Sequence, residues 1–147
     1  METTSLAPEP PAWEHFEHEA DVGVRGTGRT LAEAFEQAAL ALTAVITDPA
    51  AVRDRETVEV ALEGSDPELL LVDWLNAIIY EMAVRSFLFG RFEVSLEGGM
   101  LTARISGEPV DRGRHHPAVE PKAATYTALR VAVDAKGNWV AQCVIDV

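Results

Sequence analysis

The sequence predicts an α+β fold with mostly antiparallel sheets and two main helices. Three observations carry this. Apolar residues recur at helical spacing in two stretches, Leu31 to Ile46 and Leu70 to Met82. Around them lie short alternating segments bounded by glycine, without the regular strand–helix alternation of a parallel sheet. The chain of 147 residues is 48% apolar and 24% charged, ordinary proportions for one globular domain.

Residues 1–12 hold three prolines, no lysine or arginine and no apolar run. They are expected to form a disordered tail rather than a secretory signal, followed by a single domain over 13–147. Trp13–Glu17 and Val22–Thr27 read as short strands joined by His18-Glu19-Ala20-Asp21. Thr30 offers an N-cap, and Glu33 completes a capping box for a helix over 31–46 that stops before Asp48-Pro49. Thr57–Glu63 alternates as a half-buried strand ending at Gly64. Ser65-Asp66-Pro67-Glu68 supplies a cap, a proline for the first turn and an acid near the positive dipole end. A helix over 67–85 follows. Its broad apolar face places Trp74 and Leu75 in the core, with Phe35 from the first helix. Phe87–Glu97 and Leu101–Gly107 form a hairpin about Gly98-Gly99, and Glu108–Pro121 reads as a loop. Thr125–Asp134 and Asn138–Val147 form a last hairpin. Its final strand is apolar on both faces, which places it inside a sheet.

Acids outnumber bases 24 to 12, a net charge of −12. Such a chain repels phosphate backbones, so no strong direct nucleic-acid binding is expected. It is suited to holding a cation or docking on a basic partner that binds RNA itself. The one cysteine, Cys143, excludes an internal disulfide and a cysteine-rich zinc site, and its mid-strand position is that of an inert core thiol. A reducing, cytoplasmic setting is expected, with no membrane partner, since no apolar run approaches a membrane span. Phosphate-binding glycine loops, a Gly-x-Ser-x-Gly elbow and a basic, aromatic RNA-binding surface are all missing from the sequence.

The candidate residues sit at segment junctions. Asp21 stands between two strands, where an aspartate often forms a turn through its own side chain. Asp146 and the α-carboxylate of Val147 are adjacent at the end of a strand. If Asp21 met them, three hard oxygen donors would converge, and Mg²⁺ or Ca²⁺ would relieve their repulsion. The histidines (His15, His18, His115 and His116) have poor zinc spacing, because His15 and His18 point to opposite faces of a strand. Lys122 is one of only two lysines; it either pairs with Glu120 or contacts an anionic substrate or partner.

Read in order, these segments resemble the archease family. The match runs through His18-Glu19-Ala20-Asp21-Val22-Gly23, Thr30-Leu31-Ala32-Glu33-Ala34-Phe35, Leu69 to Asn76, Gly107-Glu108-Pro109, Arg114-His115, Lys122 to Tyr126, and Val144-Ile145-Asp146-Val147. The resemblance implies a small non-catalytic α+β protein that assists the GTP-dependent RNA ligase of tRNA splicing and RNA repair. It would promote guanylylation of that manganese enzyme and its repeated turnover through transient contact. It also implies a divalent-metal site, with calcium or else magnesium or manganese, carried over to Asp21, Asp146 and Val147. Lys122 and His115 correspond to the family's loop residues and are expected in ligase activation. His18 and Glu19 are expected beside the metal. Glu19 stands where the family has threonine, and Thr127 where it commonly has histidine. Two further readings stay open: a metal-dependent hydrolase using Asp21, His18 and His115, and a general chaperone-like module for RNA-processing enzymes.

Overall fold

A computed structural model describes residues 9–147. Most of the expected tail, residues 1–8, lies outside the described residues. At its end, Glu9 meets Lys136 Nζ at 3.1 Å.

The elements run β1 (Ala12–His18), β2 (Asp21–Gly28), α1 (Leu31–Ile46), β3 (Glu56–Glu63), α2 (Pro67–Arg85), β4 (Phe87–Glu97), β5 (Met100–Pro109), α3 (Arg112–His115), β6 (Ala123–Ala124), β7 (Arg130–Val133) and β8 (Trp139–Asp146). Every strand pair among the described residues is antiparallel, as expected. One sheet has the order β1-β2-β8-β6, with β7 also paired to β8; the other has the order β3-β5-β4. The twice-apolar last strand is indeed internal, bonded to β2 on one side and to β6 and β7 on the other.

Both helices begin where local chemistry directs. Thr30 Oγ1 accepts from the Glu33 N–H at 3.1 Å. Glu33 reaches back to the N–H of Arg29 at 2.8 Å, one residue earlier than in the usual capping box. Asp66 accepts from the Glu68 and Leu69 N–H groups, with Pro67 in the first turn. Ser86 ends α2 in the left-handed conformation, φ 55°, donating its N–H to the Met82 carbonyl.

Helix α1 packs on β1, β2 and β8 and on β4 of the other sheet, while α2 spans β3, β4 and the β6–β8 region. The approach of α1 to β2 depends on glycine. A Cβ on Gly26 would collide with the Ala34 carbonyl and the Ala38 nitrogen of the helix backbone. Trp74, Phe35 and Leu75 are fully buried, as expected.

Three segments depart from expectation. β5 runs on through Pro109 because Gly107 is a strand interior in close contact with the Leu88 carbonyl of β4, rather than a strand end. The loop expected over 108–121 contains the short α3, capped by Asp111, which accepts from the Gly113 and Arg114 N–H groups. The strand expected from Thr125 shrinks to Arg130–Val133, because Ala128 adopts φ 53° and breaks the extended run. In compensation, the two-residue β6 forms just before it.

Candidate functional site

The antiparallel register of β2 and β8 assembles the acidic end of the sheet. Val22 pairs with Ile145, so one step further Asp21 stands opposite Asp146. On the other side His18 pairs with Asp21. His18, Asp21 and Asp146 thus form a row across three strands. Side chains alternate along a strand, so this row faces away from the core that holds Val24, Cys143 and Ile145. Val147 joins the row through its N–H, which donates to Asp21 Oδ1 at 3.4 Å. Asp21, Asp146 and Val147 are all half-buried.

The turn at Glu19-Ala20 delivers Asp21 to this position, with Glu19 in the left-handed conformation at φ 53°. Glu19 is exposed, and its carboxylate comes only to 4.0 Å from His18 Nδ1. That buried nitrogen has no hydrogen-bond partner. Among the described residues neither Asp21 nor Asp146 has a cationic partner within 4 Å. No three His, Cys, Asp or Glu side chains among them form a metal-holding group on their own. With the Val147 carboxylate as the expected third donor, Asp21 and Asp146 could hold a cation here. The donor set is then all oxygen, which suits Ca²⁺, Mg²⁺ or Mn²⁺.

Lys122 lies at the same end. Its N–H donates to the Asp146 carbonyl at 2.8 Å, and its side chain is exposed. The expected alternative pairing with Glu120 does not form; among the described residues Lys122 makes no ion pair at all. Asn76 of α2 holds the following strand in place. Its amide accepts from the Ala124 N–H at 2.8 Å and donates to the Ala124 carbonyl at 3.3 Å. Sequence reasoning gave Asn76 no such role, although an amide on so apolar a helix was the available signal.

His115 does not join this cluster side by side. It is buried, 3% exposed, with both ring nitrogens engaged. Nδ1 accepts from the Asp111 N–H at 2.8 Å, which leaves Nε2–H to donate to Glu108 at 2.9 Å. Its carbonyl accepts from Thr47 Oγ1 at 2.6 Å. His115 therefore pins the segment leading to Lys122 onto the end of α1. A hydrolytic centre of Asp21, His18 and His115 is not assembled. His15 bonds to the Ala41 carbonyl at 2.8 Å, and His116 is the exposed cap of α3, so the histidines do not gather as a zinc site.

Glu108 is the hub that the sequence did not disclose. It receives Arg114 at 2.7 Å, the Arg53 N–H at 2.9 Å, His115 at 2.9 Å and Arg55 at 3.5 Å. Desolvation pushes its carboxyl upward, but the hydrogen bonds from Arg114, Arg53 and His115 outweigh this and hold it down to about 2. Cys143 goes the other way: burial raises its thiol to about 12, as fits an inert core residue. Among the described residues no helix is long and apolar enough to cross a membrane.

Comparison with known proteins bears on this geometry. A model of the archease protein family matches residues 13–147. The chain is 40% identical over 139 residues to "Protein archease" of Pyrococcus abyssi, covering 92% of this chain and 98% of that one. It is 42% identical over 138 residues to "Protein archease" of Thermococcus gammatolerans, covering 91% and 97%. The solution structure of Methanobacterium thermoautotrophicum protein 1598 is similar, with a TM-score of 0.77 at 28% identity over 92% of this chain and 99% of that one. The crystal structure of a Thermotoga maritima archease described as a possible chaperone shares the fold, with a TM-score of 0.63 at 22% identity over 90% and 94%.

Proposed function

Because the chain belongs to the archease family, we propose that it is a non-catalytic cytoplasmic protein that activates a GTP-dependent RNA ligase of tRNA splicing and RNA repair. It would promote guanylylation of the ligase and its repeated turnover. The observation that supports this most directly is the meeting of Asp21, Asp146 and Val147 at one sheet end, with Lys122 a single backbone hydrogen bond away.

Asp21, Asp146 and the Val147 carboxylate would hold one Ca²⁺, with Mg²⁺ or Mn²⁺ as other hard cations that suit oxygen donors. The ion would supply a concentrated positive charge at an otherwise anionic tip. The protein's own groups do the rest. The Val147 N–H orients Asp21. The Asn76 clamp and the Lys122–Asp146 backbone bond fix where the lysine leaves the sheet. A compact ammonium there suits a phosphate oxygen of GTP or an acidic group on the ligase. His115 is a positioning residue that secures the segment carrying Lys122.

Ca²⁺ should raise the melting temperature of the parent, because a ligand at a hundred times its Kd adds about 2.7 kcal/mol to the native state. Asp21→Ala and Asp146→Ala should lose that rise in a thermal melt. Equal stabilisation of variants and parent would remove these residues from the metal assignment. Lys122→Ala should keep parental stability within about 0.5 kcal/mol, since it alters an exposed side chain. It should keep the Ca²⁺ response but fail to accelerate covalent guanylate formation on the cognate ligase, and Lys122→Arg should restore activation in part. Full activation by a folded Lys122→Ala protein would take the lysine out of the mechanism. The description of the Thermotoga protein as a possible chaperone keeps a second reading in play. Suppression of aggregation of unrelated RNA-processing enzymes would favour it.

A further inference from the structure

Helix α2 carries apolar residues on two opposite faces. On the inner one Leu71, Trp74, Leu75 and Ile78 are fully buried in the core. On the outer one Leu69 is 49% exposed, Tyr80 62% and Val84 58%. Steps of four, three, four and four residues join Leu69, Asp73, Asn76, Tyr80 and Val84 into one stripe along the helix. Of these, Asn76 is half-buried against Ala124 of β6, and the other four are exposed. A helix that is apolar all round is ordinarily covered all round. Large apolar side chains aligned on one open face therefore mark a place for a partner.

The order of residues along the stripe says which partner fits. Reversed end for end, the stripe complements itself. About a point between Asn76 and Ala77, Leu69 is equidistant with Val84, and Asp73 with Tyr80. Two α2 helices laid antiparallel about a two-fold axis at that point set Leu69 against Val84 of the second copy. They also set the Tyr80 hydroxyl, a donor, against the Asp73 carboxylate. Each contact then occurs twice, as a two-fold interface requires. Charge does not oppose the pairing, although the chain as a whole carries −12. Asp73 is the one acid of the stripe. In this register the two Asp73 residues lie seven positions apart along the axis, about 10 Å, which is about one screening length in 0.1 M salt. The other two acids of α2 are already engaged: Glu68 accepts from the Val131 N–H at 3.3 Å, and Glu81 pairs with Arg85 at 2.6 Å.

We propose that the outer face of α2 is a self-association surface, pairing two copies of this chain antiparallel through Leu69, Asp73, Tyr80 and Val84. The helix of 19 residues is about 28 Å long. One such helix pair covers less than a standard interface of about 1,200–2,000 Å², so the dimer is weak and depends on concentration. The inference goes beyond the ligase-activator reading and needs neither the metal nor the ligase.

The test is sedimentation equilibrium of the full chain from about 10 μM to about 1 mM, the affinity range of weak contacts. The mean mass should rise from one chain toward two and stop there, because a two-fold interface closes on itself. Tyr80→Glu and Val84→Glu each place an acid at an exposed position, so both should keep the parental melting temperature in dilute solution. Each should raise the dissociation constant of the dimer about tenfold or more, as loss of a central anchor does. Disulfide trapping reads the register. Leu69→Cys protein mixed with Val84→Cys protein should form a linked dimer on mild oxidation, far more readily than either variant alone. The native Cys143 is buried and does not compete. A mass of one chain at every concentration overturns the proposal and leaves this face to a different protein. Undiminished association of both folded glutamate variants, or growth past two chains, overturns it as well. Trapping of either cysteine variant alone as readily as of the mixture overturns the antiparallel pairing.

Discussion

Trp74→Ala is expected to cost about 3–5 kcal/mol, the range for deleting a large buried aromatic. Three losses coincide at this position. The side chain is fully buried in the core between the helices and the second sheet. Its indole N–H donates to the Phe35 carbonyl at 3.0 Å, tying α2 to α1. Its ring meets Phe92 of β4 edge to face, with centroids 6.1 Å apart. Truncation would leave a cavity and lose both contacts. A domain of this kind has only about 5–15 kcal/mol of stability in total, so a variant partly unfolded at working temperature is expected. Chemical denaturation with a two-state fit measures the loss. A change below about 1 kcal/mol would mean the surroundings collapse into the space far better than cores usually do.

Glu108→Gln is expected to cost about 3 kcal/mol, the low end for breaking a buried ion pair, because Arg55 and Arg114 stay partly in water. The same substitution should change the acid response. The Glu108 carboxyl is held down to about 2 from an ordinary value of 4.5. The unfolded chain therefore binds the proton at a higher pH than the folded one, and stability rises with pH across that interval. The contribution is complete above the ordinary value and is lost as pH falls from 4.5 toward about 2. Urea midpoints measured over this interval should fall more steeply for the parent than for Glu108→Gln. Parallel curves would show that Glu108 is not the group responsible.

The helices were legible because their ends are written in residues with one physical meaning each: Thr30 and Asp66 as caps, Pro67 in a first turn, Pro49 beyond a last one. Alternation likewise disclosed β3 and β4, and a run apolar on both faces disclosed β8. What escaped depends on partners distant in sequence. Gly107 looked like a strand end, and only the proximity of Leu88 shows why a glycine sits inside β5. Strand β6 is too short for any periodicity, and it exists because Asp146 and Asn76 hold it from two sides. The meeting of Asp21 with Val147 spans 126 positions. Residue type and family resemblance pointed to it, whereas local spacing carries no trace of a contact so distant along the chain. His115 was legible as a residue of interest, yet its burial follows from Glu108, whose pairing with Arg53, Arg55 and Arg114 has no local signature.

The amide of Asn76 has a consequence for colloidal behaviour. A strand beside the rim of a sheet ordinarily offers unpaired N–H and C=O groups that another chain can copy. At Ala124 both groups are already taken by one helical side chain, so a helix closes a position where a strand from another molecule could otherwise add. Asn76→Ala would reopen this short rim next to the exposed Tyr126. The first sign should be faster exchange of the Ala124 amide hydrogen and concentration-dependent self-association, appearing while the rest of the domain is still folded.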